Sequence, residues 1–245
     1  MIKKILILFL VPFQLYGYTI LLDPGHGGED DGAKGELANI KFSEKDLALT
    51  LAKKISKRIS KKHRVYLTRS YDKSVTLEKR AEIAEKLSVD LFVSIHVNAS
   101  TRKSANGFET YYLDHHKDAA VKKIESVENR NLKGQELVVH QILTDLIVDR
   151  TTKSSRRLGQ AIHSRFSKGI KSKFRVKDRG LKPGLFYVLA LTKRPAVLLE
   201  IGFISNSREL KKLTSEKFQD EYARNVADGI MAYLKVLKKE KPPLF

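Results

Sequence analysis

Two histidines and two glutamates stand at positions where side chains with metal-binding or proton-transfer chemistry would be exposed to a common site. His26 lies in the glycine-rich stretch LLDPGHGGED, after the apolar run YTILL, and His96 lies in SIHVNAS near the end of another apolar run. Glu200 follows four apolar residues in PAVLLEIGFISN, and Glu44 stands in the first turn of the first long helical pattern. Imidazole and carboxylate groups can bind a metal ion or transfer protons.

The glycines around His26 do not indicate a nucleotide site. A P-loop needs a lysine for the phosphates and a Ser or Thr for magnesium, and a dinucleotide loop needs a third glycine at a helix start. Neither pattern occurs in LLDPGHGGED. The turn instead allows positive φ angles and places one imidazole at a strand end. Taken alone, His26 is best interpreted as a hydrogen-bonded structural histidine.

The other three residues differ in how strongly each one indicates function. His96 interrupts a run expected to be buried on both faces, so either a hydrogen bond or a metal ion must satisfy its imidazole. Glu200 ends a similar run, and a buried carboxylate must be paired, metal-bound or shifted in pKa, which favours a functional role. Glu44 alone is an ordinary acid at a helix start, where the helix dipole favours its ionised form.

The elements that must position these residues alternate between strand and helix patterns, which predicts an α/β fold. One domain, with a mostly parallel central sheet and helices on both faces, suits 245 residues of 42% hydrophobic composition. If the relevant strands are parallel, His26, Glu44, His96 and Glu200 converge at one sheet edge. Two histidines and one carboxylate would leave a tetrahedral zinc ion with an open position for water, and an unliganded glutamate would act as general base.

Hydrophobic spacing also predicts the element boundaries. Residues 107–113 are expected to pair with 90–97, and the charge-rich residues 114–153 are expected to form a helical insert. The first long helix begins at Ser43. The other predicted helices cover residues 76–87, 154–168 and 216–237, and the predicted strands cover 64–69, 90–97, 107–113, 185–190 and 195–202.

The bulk composition limits the possible chemistry and partners. The absence of cysteine excludes disulfides, thiolate metal ligands and a cysteine nucleophile. A formal charge of +19 favours a polyanionic partner, and for an exported protein the cell wall or envelope is the natural one. No nucleic-acid partner is expected, because the lysines lie on helix faces without interleaved stacking aromatic residues.

Residues 1–17 have the layout of a secretory signal peptide: a basic start, an apolar run and a small final residue. The cleavage position stays open, because Leu15 stands where a small residue is preferred, and an uncleaved anchor is the alternative. This pattern predicts export to the periplasm or cell wall, with no stable membrane span after signal cleavage. The remaining chain divides into a catalytic domain, residues 18–238, and a tail, residues 239–245.

Together these features resemble the zinc-dependent N-acetylmuramoyl-L-alanine amidases of type 3, the type that includes the periplasmic cell-division amidases. The resemblance implies one Zn²⁺ bound by His26, Glu44 and His96, with Glu200 as the catalytic glutamate. It implies peptidoglycan as the substrate, cleaved between the lactyl group of N-acetylmuramic acid and L-alanine of the stem peptide. The matching stretches, in the order of the family, are LLDPGHGGEDDGA, SEKDLAL, VYLTRSYD, LEKRAEIAEKLSVDLFVSIHVNAS, GFETYYL and PAVLLEIGFISNSREL.

The insert at 114–153 is similar to the helical segment that covers the active site of regulated division amidases until an activator protein displaces it. While the segment covers the site, one of its acids could occupy the open zinc position. Glu125, Glu128 and Glu136 are the candidates, and the sequence does not rank them. A substrate-gripping lid or a surface decoration is the alternative role of the insert. Two other functions also stay open: a catalytically inactive basic envelope-binding protein, and a zinc hydrolase of another cell-wall amide.

Overall fold

A computed structural model of the chain describes residues 17–129 and 135–240. The predicted signal peptide, apart from Gly17, lies outside the described residues, as do residues 241–245 of the predicted tail. No helix in the described ranges combines the length and apolar character needed to cross a membrane.

The core of the fold is a sheet of six strands, with a separate two-stranded hairpin beside it. The six strands are β1 Thr19–Pro24, β4 Arg64–Leu67, β5 Leu91–Asn98, β6 Phe108–Leu113, β7 Asp178–Gly184 and β8 Ala196–Phe203, and the hairpin consists of β2 Lys34–Leu37 and β3 Ile40–Ser43. The order across the sheet is β4-β1-β5-β8-β6-β7. Within the six-stranded sheet, every pairing is parallel except that between β6 and β8. The predicted mostly parallel sheet is therefore confirmed.

Helices cover both faces of this sheet, as predicted. The helices are α1 Glu44–Ile59, α2 Leu77–Lys86, α3 Ala119–Glu128, α4 Gln135–Phe174, α5 Tyr187–Leu191, α6 Ser207–Leu213 and α7 Glu216–Glu240. One core contains residues of α1, α4 and α7 such as Leu51, Phe166 and Ile230, and the other contains Ala84 of α2 and Leu189 of α5. The three central strands β1, β5 and β8 are buried at every residue, which explains their unbroken apolar runs.

The helix starts beside the site follow local capping chemistry. The hydroxyl of Ser43 accepts a hydrogen bond from the Asp46 backbone N–H, so α1 begins at Glu44. The hydroxyl of Thr76 caps α2 in the same way through Lys79. Both caps satisfy N–H groups that lack partners within the helix, and both starts agree with the sequence prediction.

One predicted strand and one predicted strand pairing are wrong. The strand expected at residues 185–190 does not form. The strand of this region, β7, ends at Gly184, and helix α5 begins at Tyr187. A short apolar run suits a buried helix as well as a buried strand, and this one packs into the core beside α2. Residues 107–113 do form a strand, but β8 lies between it and β5. Pairing of consecutive strands is only a tendency, and here the chain returns through α4 and inserts β8 between them.

The insert at 114–153 is helical, as predicted, but it does not end before a new helix. Its first part contains α3, and its second part is the start of α4, a single helix of 40 residues. The helix predicted from residue 154 therefore begins at Gln135. Since α4 also supplies Leu158 and Phe166 to the core, the insert is continuous with a core helix.

Candidate metal centre

The glycine-rich turn after β1 gives room to the side chains of the site. His26 itself has a positive φ of 57°, an uncommon conformation for a residue with a side chain. A Cβ at Gly25 would lie 2.4 Å from the His96 ring, and a Cβ at Gly32 would lie 2.6 Å from both Glu44 Oε2 and His26 Cδ2. These glycines therefore allow two imidazoles and a carboxylate to approach one point.

Four side chains meet at the carboxyl edge of the sheet: those of His26, Glu44, His96 and Glu128. One ligand atom from each lies within 4.8 Å of all the others. Glu44 Oε2 is 3.1 Å from His26 Nε2, and Glu44 Oε1 is 3.0 Å from His96 Nδ1. Glu128 Oε2 is 3.0 Å from His96 Nδ1 and 3.7 Å from His26 Nε2. Donors about 2.0 Å from a tetrahedral ion would be separated by about 3.3 Å.

Hydrogen bonds orient the ligand atoms of this cluster. Nδ1 of His26 lies 2.9 Å from Asp30 Oδ2, which turns Nε2 towards the other ligands. The Glu44 carboxylate accepts backbone N–H bonds from Ala33 at 2.9 Å and Val97 at 2.8 Å. His26 Nε2 is buried and has no hydrogen bond within the described residues, since its contact with Glu44 lacks hydrogen-bond geometry. An unbonded buried nitrogen beside carboxylate oxygens fits a divalent metal ion held by N and O donors.

The electrostatics of the cluster favour positive charge. Burial would lower the pKa of His96, but Glu128 and Glu44 raise it well above its usual value. Burial likewise opposes protonation of His26, yet the adjacent Glu44 carboxylate raises its pKa. Burial would raise the pKa of Glu44, but the two histidines lower it, so this carboxylate stays ionised. A metal cation can replace the protons that these imidazoles would otherwise carry.

Glu200 lies beside this cluster on β8. It is 1% exposed, and the sheet register pairs it with His96 on one side and with Glu109 on the other. Oε2 of Glu200 has no hydrogen bond within the described residues. Burial raises the pKa of Glu200 well above its usual value; the positive charge of His96 opposes this shift, while Glu128 adds to it. Such a carboxyl group holds a proton more readily than an exposed glutamate does, which suits a proton-transfer role.

Glu109 is a second buried carboxylate that the sequence analysis did not identify. Tyr111 donates its hydroxyl, Arg179 donates Nε, and Lys182 donates Nζ at 3.0 Å to this carboxylate. Burial would raise the pKa of Glu109, but these donors lower it. The sequence carries a signal for Glu109, because this acid stands within a predicted strand, as Glu200 does. The strand is buried at every residue. Glu109 therefore remains ionised beside Glu200.

Two of the three candidate acids of the insert have described side chains, and of these two Glu128 reaches the cluster. Glu128 is the last residue of α3 and points at the histidines. Glu125 instead lies 2.6 Å from His116 Nε2 and accepts the backbone N–H of Leu185. The side chain of Glu136 lies outside the described residues.

Two cavities flank the end of α3. One has a volume of about 160 Å³ and the other of about 700 Å³, and both are lined by His26, Val127 and Glu128. The larger cavity also contacts Lys177 and Arg179. Val127 and Glu128, at the end of α3, therefore line both cavities.

A mostly parallel α/β sheet with a His, His and Glu cluster at its carboxyl edge, next to a buried glutamate, defines a metal-dependent hydrolase type of site. Comparison with known proteins agrees with this class. The N-acetylmuramoyl-L-alanine amidase family matches residues 20–232, and the chain belongs to this family.

Individual relatives show how far the similarity extends. The N-acetylmuramoyl-L-alanine amidase AmiC of Escherichia coli O6:H1 is 34% identical over 88% of this chain and 52% of its own length, so the chain spans about half of that relative. The N-acetylmuramoyl-L-alanine amidase of Clostridium difficile 630 aligns with a TM-score of 0.69 and 30% identity, covering 90% of this chain and 98% of that structure.

A third relative was solved together with another protein. The CwlD amidase of Clostridioides difficile, in complex with the GerS lipoprotein, aligns with a TM-score of 0.67 and 28% identity. The alignment covers 89% of this chain and 99% of that structure.

Proposed function

We propose that this protein is a zinc amidohydrolase that cleaves the amide between the lactyl group of N-acetylmuramic acid and L-alanine in peptidoglycan. The observation that carries the proposal is the convergence of His26, Glu44 and His96, with Glu200 buried beside them, in a chain of the amidase family. These three residues would hold the zinc ion, and their N and O donors suit it.

The residues of the chain divide the work of hydrolysis. When bound, the ion supplies polarisation of the lactyl carbonyl and a lowered pKa for water. Asp30 holds the His26 ring so that Nε2 faces the site, and two backbone N–H groups hold Glu44. Glu200 takes the proton of the attacking water and passes it to the leaving alanine nitrogen. Its raised pKa suits both steps, since the same carboxyl must accept and then donate.

Glu128 is proposed to keep this site inactive. Its carboxylate stands at the fourth corner of the cluster, where water and substrate would otherwise bind. A protein partner that withdraws the insert at 114–153 would free this position and join the two flanking cavities. The complex of the CwlD relative with a lipoprotein supports the idea that amidases of this family have protein partners.

The proposed place of action is the periplasm or cell wall, after removal of residues 1–17. A formal charge of +19 would attract the chain to an anionic envelope. Neither a nucleic-acid partner nor a membrane span in the mature chain is part of the proposal.

Digestion of purified peptidoglycan tests the activity. Because the wild-type protein is expected to be covered, the Glu128→Ala variant is digested in parallel, and products are identified by mass spectrometry. Free stem peptides that begin with L-alanine support the amidase. Cut peptide crosslinks would instead support a hydrolase of another amide, and no product from either protein would support an inactive envelope-binding protein.

A further inference from the structure

We propose that Arg69 is a positioning residue of the metal centre, because its guanidinium group fixes the separation of the two chain segments that carry His26 and Glu44. The proposal rests on the metal-binding function proposed above. It concerns a residue two positions after the end of β4 that contributes no ligand atom to the cluster.

The contacts of Arg69 are made to backbone carbonyl groups on both segments. Its Nη2 atom donates to the carbonyl of Gly25 at 2.7 Å and to the carbonyl of Lys45 at 2.8 Å. Gly25 directly precedes His26, and Lys45 directly follows Glu44. One nitrogen with two N–H groups therefore bridges the residues adjacent to two ligands. Nε donates in addition to Pro24 at 3.1 Å.

The environment of Arg69 holds the guanidinium in this position. The residue is 1% exposed. The glycine turn passes directly over it, since a Cβ at Gly27 would lie 2.8 Å from Cδ and from Nε of Arg69. The guanidinium is planar, and its N–H donors have fixed directions. Because the group is also buried, it loses little conformational entropy when it binds two carbonyls.

A purely structural role explains this residue poorly. Burying an arginine has a desolvation cost that an apolar side chain of similar volume avoids. An apolar side chain, however, could not bridge two carbonyl groups. The bridge matters because the hairpin of β2 and β3 separates the His26 turn from the start of α1.

Arg80 provides a useful contrast. It donates to the carbonyls of His26 at 2.9 Å and Pro24 at 3.0 Å. Arg80 therefore supports the His26 turn, whereas Arg69 also reaches the Glu44 segment. Of these two buried arginines, Arg69 is the one that sets the distance between ligands.

The test compares zinc affinity with stability in the full chain. Loss of a residue that orients metal ligands typically lowers affinity 10- to 100-fold, so Arg69→Met should weaken zinc binding by about this factor. Affinity is measured by competition with a chromogenic chelator. Thermal unfolding of the metal-free protein is measured alongside, because a merely structural role would lower stability and leave affinity unchanged.

Two control variants lie on β4, the strand that precedes Arg69. Arg64→Met removes an exposed arginine and should leave both quantities unchanged, whereas Val65→Ala removes core packing and should lower stability alone. If Arg69→Met does not fold, Arg69→Lys carries the test, since one shorter ammonium group cannot reproduce the three bonds. The inference would be overturned if an Arg69 variant bound zinc as tightly as the wild type. It would also be overturned if Val65→Ala lowered the zinc affinity as much as Arg69→Met does. A wild-type chain that binds no zinc would overturn the proposed function itself.

Discussion

Oε2 of Glu128 lies 3.0 Å from Nδ1 of His96, although the two residues belong to different layers of the molecule: an insert helix and a central strand that is buried at every residue. The contact places Glu128, whose side chain lines two cavities, against the histidines.

Replacement of Glu128 by alanine should raise hydrolysis of purified peptidoglycan at least about tenfold. The reason is that a carboxylate in the fourth ligand position competes with water and substrate. Dye release from labelled sacculi measures the rate. Lys122→Ala, an exposed change on the same helix, is the matched control and should have no effect. A lower rate in Glu128→Ala would mean that this carboxylate serves the reaction.

Asn129→Ala should give a smaller gain in the same assay. Asn129 donates to the carbonyl of Leu185 at 2.9 Å and accepts from the N–H of Tyr187 at 3.0 Å, so it fixes the end of α3 to the body. Each lost bond is worth about 0.5–1 kcal/mol, so the loss of both predicts an uncovered population that is about 5- to 30-fold larger. Hydrogen exchange in α3 should accelerate in parallel. Unchanged exchange would show that other contacts hold this helix.

Glu200→Gln should abolish product while zinc remains bound. The amide is close in size to the carboxyl but cannot accept the proton of water, and loss of general acid–base catalysis lowers rates about 10²- to 10⁴-fold. The change is made in the Glu128→Ala background, and zinc content is measured by elemental analysis. Glu82→Gln, an exposed carboxylate on α2, serves as the control. Loss of zinc in Glu200→Gln would reassign Glu200 as a ligand.

Acid should destabilise the metal-free protein through Asp23. Burial would raise the pKa of Asp23, but Arg80 and the hydroxyls of Thr68 and Ser94 lower it below the usual 3.8. Because the folded pKa is the lower one, this stabilisation is present above pH 3.8 and is lost as the pH falls through the folded value. Asp23→Asn should cost about 3–5 kcal/mol at pH 7 and reduce the acid dependence of unfolding. Unfolding by denaturant at several pH values measures both effects, and an unaltered acid dependence would contradict the prediction.

The meeting of His26, Glu44 and His96 could be predicted from the sequence because parallel strands end at one sheet edge. Only the apolar runs and the start of α1 were needed for that prediction, and both are local signals. The buried position of Glu200 next to His96 follows from the same rule, once β5 and β8 are neighbours.

The rest depends on contacts between distant parts of the chain. The three insert acids could not be ranked, because the position of Glu128 is set by bonds from Asn129 to residues near 185. Residues 185–190 were assigned to a strand because a short buried run carries no reliable periodicity. The sequence does not single out Arg69, because its acceptors are the backbone carbonyl groups of Gly25 and Lys45, which belong to other segments.

The contacts described for α3 are all noncovalent. They are the core packing of Val121, the hydrogen bonds of Asn129, and the contacts of Glu125 with His116 and Leu185. A zymogen is switched on once, when a protease removes its pro-segment. The proposed cover of this protein would instead be displaced without any cut in the chain, and it would return when the displacing partner leaves. Hydrolysis would then last only as long as the partner stays bound, which makes the activity reversible in time and confines it to the places where that partner is assembled.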